Sequence, residues 1–449
     1  MNERLALLIR RALYNTRGGF LLRPLIIALT LGLIGMFLSW MEEEIPVISS
    51  WVPAVFFPSH SDPQVAQVIL TVIAGSIMTV VSIVFAILLM TLTLASAQFS
   101  PRIMLSFTRD HVTQWTLGTF LGTFLYCVAA LPTARSLPSP FSPVVTVLGA
   151  VLLALACVCW LLFFIHHIAH AINVNHIVDK IAAETEAVID QLMPLPRREH
   201  LMGAYDPTRE MAFETAILND SSGYIRFIDV KRLLVLAKSY RVSLQVLRRV
   251  GHFVPAGVPL LRVSKADRLP PEGHAALLGA FDRGPSRTLQ QDVEFGVLQI
   301  VDIALRAISP AVNDPSTAIS CVDQLSRILI RCASRESPPS VLYDPPGVPR
   351  VSMAWMDFEK LVDAAFEQTR LYSKGDVAVS LRMLRALGDI ATSTGDAGLR
   401  RILGERGRRI VAGCTQSLGE EELTDIRLRL RTLEGLAEMG EALPKQLQL

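Results

Sequence analysis

Four long stretches without a single Asp, Glu, Lys or Arg fall within the first 172 residues, at 24–41, 64–100, 115–134 and 143–172. A helix needs about 20 consecutive apolar residues to cross the hydrocarbon core of a bilayer, so each stretch reads as a transmembrane helix. A cleavable signal peptide is the competing reading of the first, because Arg4, Arg10, Arg11, Arg17 and Arg23 precede it. Its length, and its end in Trp40 and Glu42-Glu43-Glu44 in place of a small-residue cleavage site, argue for a retained span.

Charge is distributed accordingly. Residues 1–172 hold 8 of the 43 Lys+Arg and 6 of the 41 Asp+Glu, although 51% of the whole chain is apolar and 19% charged. Residues 173–449 therefore read as a charge-balanced soluble region, without the basic face that a nucleic-acid binder needs. Five Arg before the first span, with Arg102 and Arg109 between the second and third, face Arg135 alone on the other side. The positive-inside rule then puts both termini in the cytoplasm of a multi-pass protein of the inner membrane. Six cysteines, with Cys127, Cys157 and Cys159 inside apolar runs, fit small packing residues in a reducing compartment.

The fold class expected is an α-helical membrane protein, with four transmembrane helices followed by a cytosolic α+β region made of a small β module and a helical bundle. A basic cytosolic segment (1–23) leads into the membrane domain (24–172). A helical extension (173–196) continues the fourth span, with Ile177, Ile181, Val188 and Leu192 on one apolar face. The β module (210–265) reads as two short strands around Ser221-Ser222-Gly223, a helix on KRLLVLAKSY, then strand, turn and strand. Its piece from Gly251 to Leu260 is similar to half of a lipoyl or biotinyl barrel-sandwich hairpin, where two glycines allow tight turns. No Lys stands at a hairpin tip as those carriers need, so only the shape is carried over. A helical region rich in polar motifs (285–336), a Pro-rich linker (337–349) and a C-terminal helical region (350–449) complete the chain.

Three groups of residues are candidates for function. In the second span Gly75, Thr79, Ser82, Ala86, Thr93 and Ala97 share one helix face. Small residues let helices approach in lipid, so a packing seam and the wall of a polar pore both fit. Gly118 and Gly122 form a GxxxG in the third span. At the end of the fourth, His166 and His170 are one helical turn apart and share a face, which fits interfacial histidines at the cytosolic headgroup level or, in a ring of subunits, a titratable collar. Two histidines do not complete a metal site. The third group is Arg287, Asp292, Asp302, Asn313, Asp314 and Asp323 in the stretch 287–325, a candidate ligand or ion site. The structural account is the favoured one and is complete without function for Asn313 and Asp314: a helix from Val293 ends near Ser309-Pro310, and Asp314 or Ser316 caps the next helix just after Pro315. No DxDxDG loop, P-loop, GxSxG, HExxH, CxxC or dinucleotide fingerprint is present, so neither an enzyme nor a cofactor is expected.

Four elements carry a family resemblance: LTLASAQFSPR (92–102) with RDHVTQWTLGTFLGTF (109–124), FFIHHIAHAI (163–172), SGYIRFIDV (222–230) with GHFVPAGVPL, and QDVEFGVLQIVDIALRAISPAVNDPSTA (291–318). In order and spacing the chain resembles the bacterial predicted membrane-protein family catalogued as domain of unknown function 2254. The resemblance implies topology and an inner-membrane location, and no reaction. Where that family often has an acidic residue after the hairpin Gly, this chain has His252. The function expected is a homo-oligomeric channel or transport-like pore gated by the cytosolic region. The alternative is a membrane-anchored ligand sensor or scaffold, taking a small molecule or ion. The lipid bilayer and further copies of the chain are the partners expected.

Overall fold

The structure, a computed structural model, describes residues 22–45, 47, 62–98, 110–135, 141–171, 173–195, 213, 215–345 and 347–438. The Arg-rich start of the chain, Arg102, Arg109 and residues 196–212 lie outside the described residues. Two compact units divide the chain, Met1–Asn173 and Val174–Leu449.

The first unit contains α1 (Leu22–Glu44), α2 (Pro63–Gln98), α3 (His111–Ala130) and α4 (Val144–Ala171). α1, α2 and α4 are long and apolar enough to cross a membrane. The third expected span forms α3, which is helical but less apolar, and the reason lies in its position. α3 packs against α1, α2 and α4. Its Thr113, Gln114, Thr116 and Thr123 are buried against protein, where lipid solubility is not required of them. The GxxxG faces α1: a β-carbon on Gly118 would meet Ile27 at 2.9 Å, and one on Gly122 would meet Leu31 at 2.4 Å. Gly35 of α1 returns the contact, with the Tyr126 carbonyl oxygen 2.7 Å from where its β-carbon would stand.

The second unit opens with α5 (Val174–Leu192), which starts as a separate helix after α4 has ended at Ala171. Ile177, Ile181 and Val188 are buried as the periodicity predicts, together with Ala182 and Ile189. Then follow β1 (Thr215–Leu218), β2 (Gly223–Ile228), α6 (Val230–Tyr240), β3 (Leu244–Val246), β4 (Phe253–Val254), β5 (Pro259–Val263), α7 (Pro271–Leu278) and β6 (Phe281–Gly284). The polar-motif stretch forms α8 (Val293–Ala307) and α9 (Pro315–Ala333). After them come β7 (Val341–Asp344), β8 (Val348–Met353), α10 (Phe358–Tyr372), α11 (Val377–Ser393), α12 (Ala397–Cys414) and α13 (Glu420–Glu438).

The strands assemble into two sheets, β1-β5-β3-β8-β7 and β4-β2-β6. The strands flanking Ser221-Ser222-Gly223 therefore do not pair with each other, and neither do β4 and β5. Buried Asn219 holds this divergence: its side-chain amide donates to the carbonyls of Ser221 at 2.6 Å, Val254 at 2.9 Å and Pro255 at 3.2 Å. Gly251 and Gly257 have φ of +87° and +81°, so the two tight turns expected of glycines are present. The sheets also reach beyond 210–265. β6 joins the smaller one, and β7 with β8 draws part of the Pro-rich 337–349 stretch into the larger one, where β8 runs parallel to β3.

Candidate functional site

In the membrane unit, Gly75, Thr79, Ser82, Ala86 and Thr93 are exposed, and Ala97 continues their register at the end of α2. Helical rotation puts this stripe about 180° from the face formed by Ala66, Leu70, Ala74, Ile77, Val81 and Val84, which is buried. Among the described residues, no atom lies within 4 Å of a β-carbon built on Gly75. The hydroxyls of Thr79, Ser82 and Thr93 donate to the carbonyls of Gly75, Met78 and Leu89 of their own helix, at 3.1, 3.0 and 2.8 Å. Such back-bonding satisfies each hydroxyl inside an apolar phase.

His166 and His170 lie close together, with ring centroids 4.2 Å apart. His170 Nδ1 is 2.9 Å from the His166 carbonyl oxygen, so that ring nitrogen is spent on the helix backbone. The sequence does not single out His167, yet it is the one of the three that meets a carboxylate, Asp110 at 3.1 Å. Among the described residues no group of three or more His, Cys, Asp and Glu could hold a metal ion.

Of the six candidates of the 287–325 stretch, two meet each other. Arg287 and Asp292 come together in a two-pronged pair, Nε to Oδ2 at 2.7 Å and Nη2 to Oδ1 at 2.8 Å. Arg287 also donates to Glu294 at 2.9 Å and stands 5.6 Å from the centroid of the Phe295 ring. Asp292 in turn caps α8 by accepting from the Phe295 N–H at 3.1 Å. Arg249 donates to Glu294 at 3.3 Å and to His252 Nε2 at 3.0 Å. Burial and the nearby Arg249 hold His252 below the ordinary histidine value, consistent with a neutral imidazole accepting at Nε2. A β-carbon on Gly251 would stand 2.4 Å from Asp292 Oδ2, so this glycine gives the hairpin its close approach to the ion pair.

Asp314 is the cap of α9, as its place before Pro315 predicts, and Asn313 beside it adopts φ +50°. Asp323 pairs with Arg382 of α11. Asp302 lies on α8, ten residues beyond Asp292. Asp292 and Asp314 are thus helix caps, and Asp323 makes an interhelix pair. Sequence reasoning does not find the partners Arg249 and Arg382, because each is brought in by a different element, whereas Glu294 stands on α8 itself.

A cavity of about 400 Å³ lies where the β strands meet the helices of the second unit. Asp292 and Gln291 line it beside Arg249, Arg335, Trp355, Met193, Cys332 and Met353. Burial pushes the Cys332 thiol up to about 12, so it is a neutral thiol at physiological pH.

The family described as predicted membrane protein (DUF2254) matches residues 17–389. The chain belongs to that family. Uncharacterised proteins of Mycobacterium bovis and Mycobacterium tuberculosis are 33% identical to it over 344 residues, which cover 75% of this chain. The match spans 66% of the length of each of these relatives. No solved structure matches the chain.

Proposed function

We propose that this DUF2254 protein is a four-span protein of the inner membrane that assembles as a homo-oligomer, with second spans facing one another around a channel-like path. One observation carries the reading: among the described residues of the membrane unit, the small and hydroxylated face of α2 lies opposite its buried face and is exposed at Gly75, Thr79, Ser82, Ala86 and Thr93. Lipid does not call for a Gly/Thr/Ser/Ala stripe, whereas close helix approach or a polar path does. α3 completes the span count, its polar residues shielded by its neighbours. The positive-inside count puts both termini and the second unit in the cytosol, where that unit would regulate the path. The absence of Asp, Glu, Lys and Arg from the four apolar stretches favours a passive path over ion coupling, which usually employs such groups.

Purified protein in detergent should run as a ring of several copies and show unitary currents in planar bilayers. Ser82→Phe should then alter conductance if the stripe lines a path, and only oligomer stability if it is a seam between copies. Monomeric protein, or silent bilayers with verified insertion between pH 5 and 8, would defeat the channel reading. The cavity favours a second reading, a membrane-anchored ligand sensor without conductance. A thermal-shift screen of small molecules on the full chain tests it, and the stabilisation should vanish in a variant that fills the cavity, such as Ala333→Phe.

A further inference from the structure

The cavity of the second unit has an unusual wall. Four of its 22 lining residues carry sulfur: Met193, Cys332, Met353 and Met356. A random draw of 22 from a chain with 13 methionines and 6 cysteines among 449 residues would contain about one. The four come from three places in the fold, the ends of α5, α9 and β8, so helical spacing does not account for their meeting. Cys332 Sγ and Met193 Sδ are 3.7 Å apart. Two sulfurs bound at about 2.3 Å to one tetrahedral ion stand about 3.8 Å from each other.

The charges around this wall are spent on one another. Arg335 pairs with Asp190, Arg249 with Glu294, and Arg287 with Asp292. Asp357 and Asp396, both exposed, line the same cavity as the N-caps of α10 and α12.

We propose that the cavity binds a soft monovalent cation of the Cu(I) or Ag(I) class, held by the sulfurs of Cys332 and Met193 and completed by Met353. Thiolate and thioether donors select soft ions such as these over Mg(II) and Ca(II). On binding, the metal–sulfur bond replaces the S–H bond of Cys332 and the proton leaves to solvent. No electron is transferred. A monovalent ion on one thiolate is neutral overall, which suits an apolar wall better than a divalent ion would. The proposal rests on the sensor reading only in taking the cavity to be a ligand site, and it names the ligand class.

The test is an anaerobic titration of the reduced full-length protein in detergent with Cu(I), in competition with bathocuproine disulfonate. The expected result is uptake of one equivalent that depends on this wall. Cys332→Ser, Met193→Leu and Met353→Leu should each weaken it about tenfold or more. Cys321→Ser, a buried thiol of α9 that does not line the cavity, should leave it unchanged. The Met→Leu changes conserve volume, so they keep the test open if Cys332→Ser fails to fold. Undiminished uptake in the Met→Leu variants, or uptake that moves with Cys127 and Cys157, would overturn the proposal. Stabilisation by organic molecules without any Cu(I) effect would overturn it too, while leaving the sensor reading intact.

Discussion

Glu42, at the end of α1, caps α4 through Thr146. Its carboxylate accepts from the Thr146 N–H at 3.1 Å, from the Thr146 hydroxyl at 3.0 Å and from the Val145 N–H at 2.8 Å. It is 1% exposed. The first N–H groups of a helix have no partner within it, so a carboxylate about 100 residues upstream meets a need that α4's own flank, Phe141-Ser142-Pro143, leaves open. Glu42→Ala should lower the stability of the membrane unit by about 1–3 kcal/mol, since it strands buried donors. Glu42→Gln, which keeps an acceptor, should cost less. Thermal unfolding in detergent, followed by accessibility of Cys127 and Cys157 to a thiol reagent, measures this.

The Arg287–Asp292 pair invites a sharper prediction. The Asp292 side chain is 2% exposed, so Arg287→Ala would leave a buried carboxylate without its main partner, at a cost of about 3–5 kcal/mol. Arg287→Lys should recover little, because an ammonium cannot reproduce the two parallel N–H bonds. Chemical denaturation of the full chain, reported by Trp355 fluorescence, should rank wild type above Lys and Lys above or level with Ala.

Gly296 lets α8 approach α5. A β-carbon there would stand 2.0 Å from Thr185 Oγ1, a hydroxyl that already donates to the Ile181 carbonyl at 2.6 Å. Gly296→Ala should destabilise the second unit by about 1–3 kcal/mol through overpacking. Thr185→Ala in the same chain should recover part of that loss, a coupling that a double-mutant cycle reads as non-additivity.

Hydrogen bonds from the Thr317 hydroxyl at 2.6 Å and the Thr317 N–H at 3.1 Å hold Asp314 below the ordinary carboxylate value. Its folded-state pKa lies below an unfolded value of about 3.9. Its contribution is therefore fully present above about pH 5 and is lost as pH falls through the lowered folded value. Asp314→Ala should cost about 1 kcal/mol at pH 7. Asp314→Asn should cost less and should flatten the stability curve between about pH 5 and 3, measured by denaturant titration at each pH.

Much of this molecule can be read along the chain because its cause is local. Helix periodicity and the proline after Asp314 predict α8, the turn and α9 with their cap. The sheets are less legible. β1 and β2 look like a hairpin around Ser221-Ser222-Gly223, but Asn219 binds the 254–255 carbonyls and sends the two strands to different sheets. β8 pairs with β3 across about 100 residues of chain, and its own sequence contains no sign of that partner. The acidic residues of 287–325 suggest one site by their density, whereas Asp292, Asp314 and Asp323 each serve a different helix end or neighbour.

The sequence by itself determined that this chain meets a bilayer, since uncharged apolar stretches of this length are costly to leave in water whatever surrounds them. It also determined the amphipathic helices of the second unit and the caps between them. Only the tertiary structure decided that the stripe on α2 lies opposite the buried face of that helix, that Glu42 caps α4, and that Met193, Cys332 and Met353 share one cavity. The physical reason is that periodicity records which residues prefer to be hidden, while the identity of the group that hides or satisfies each one depends on elements distant in the chain.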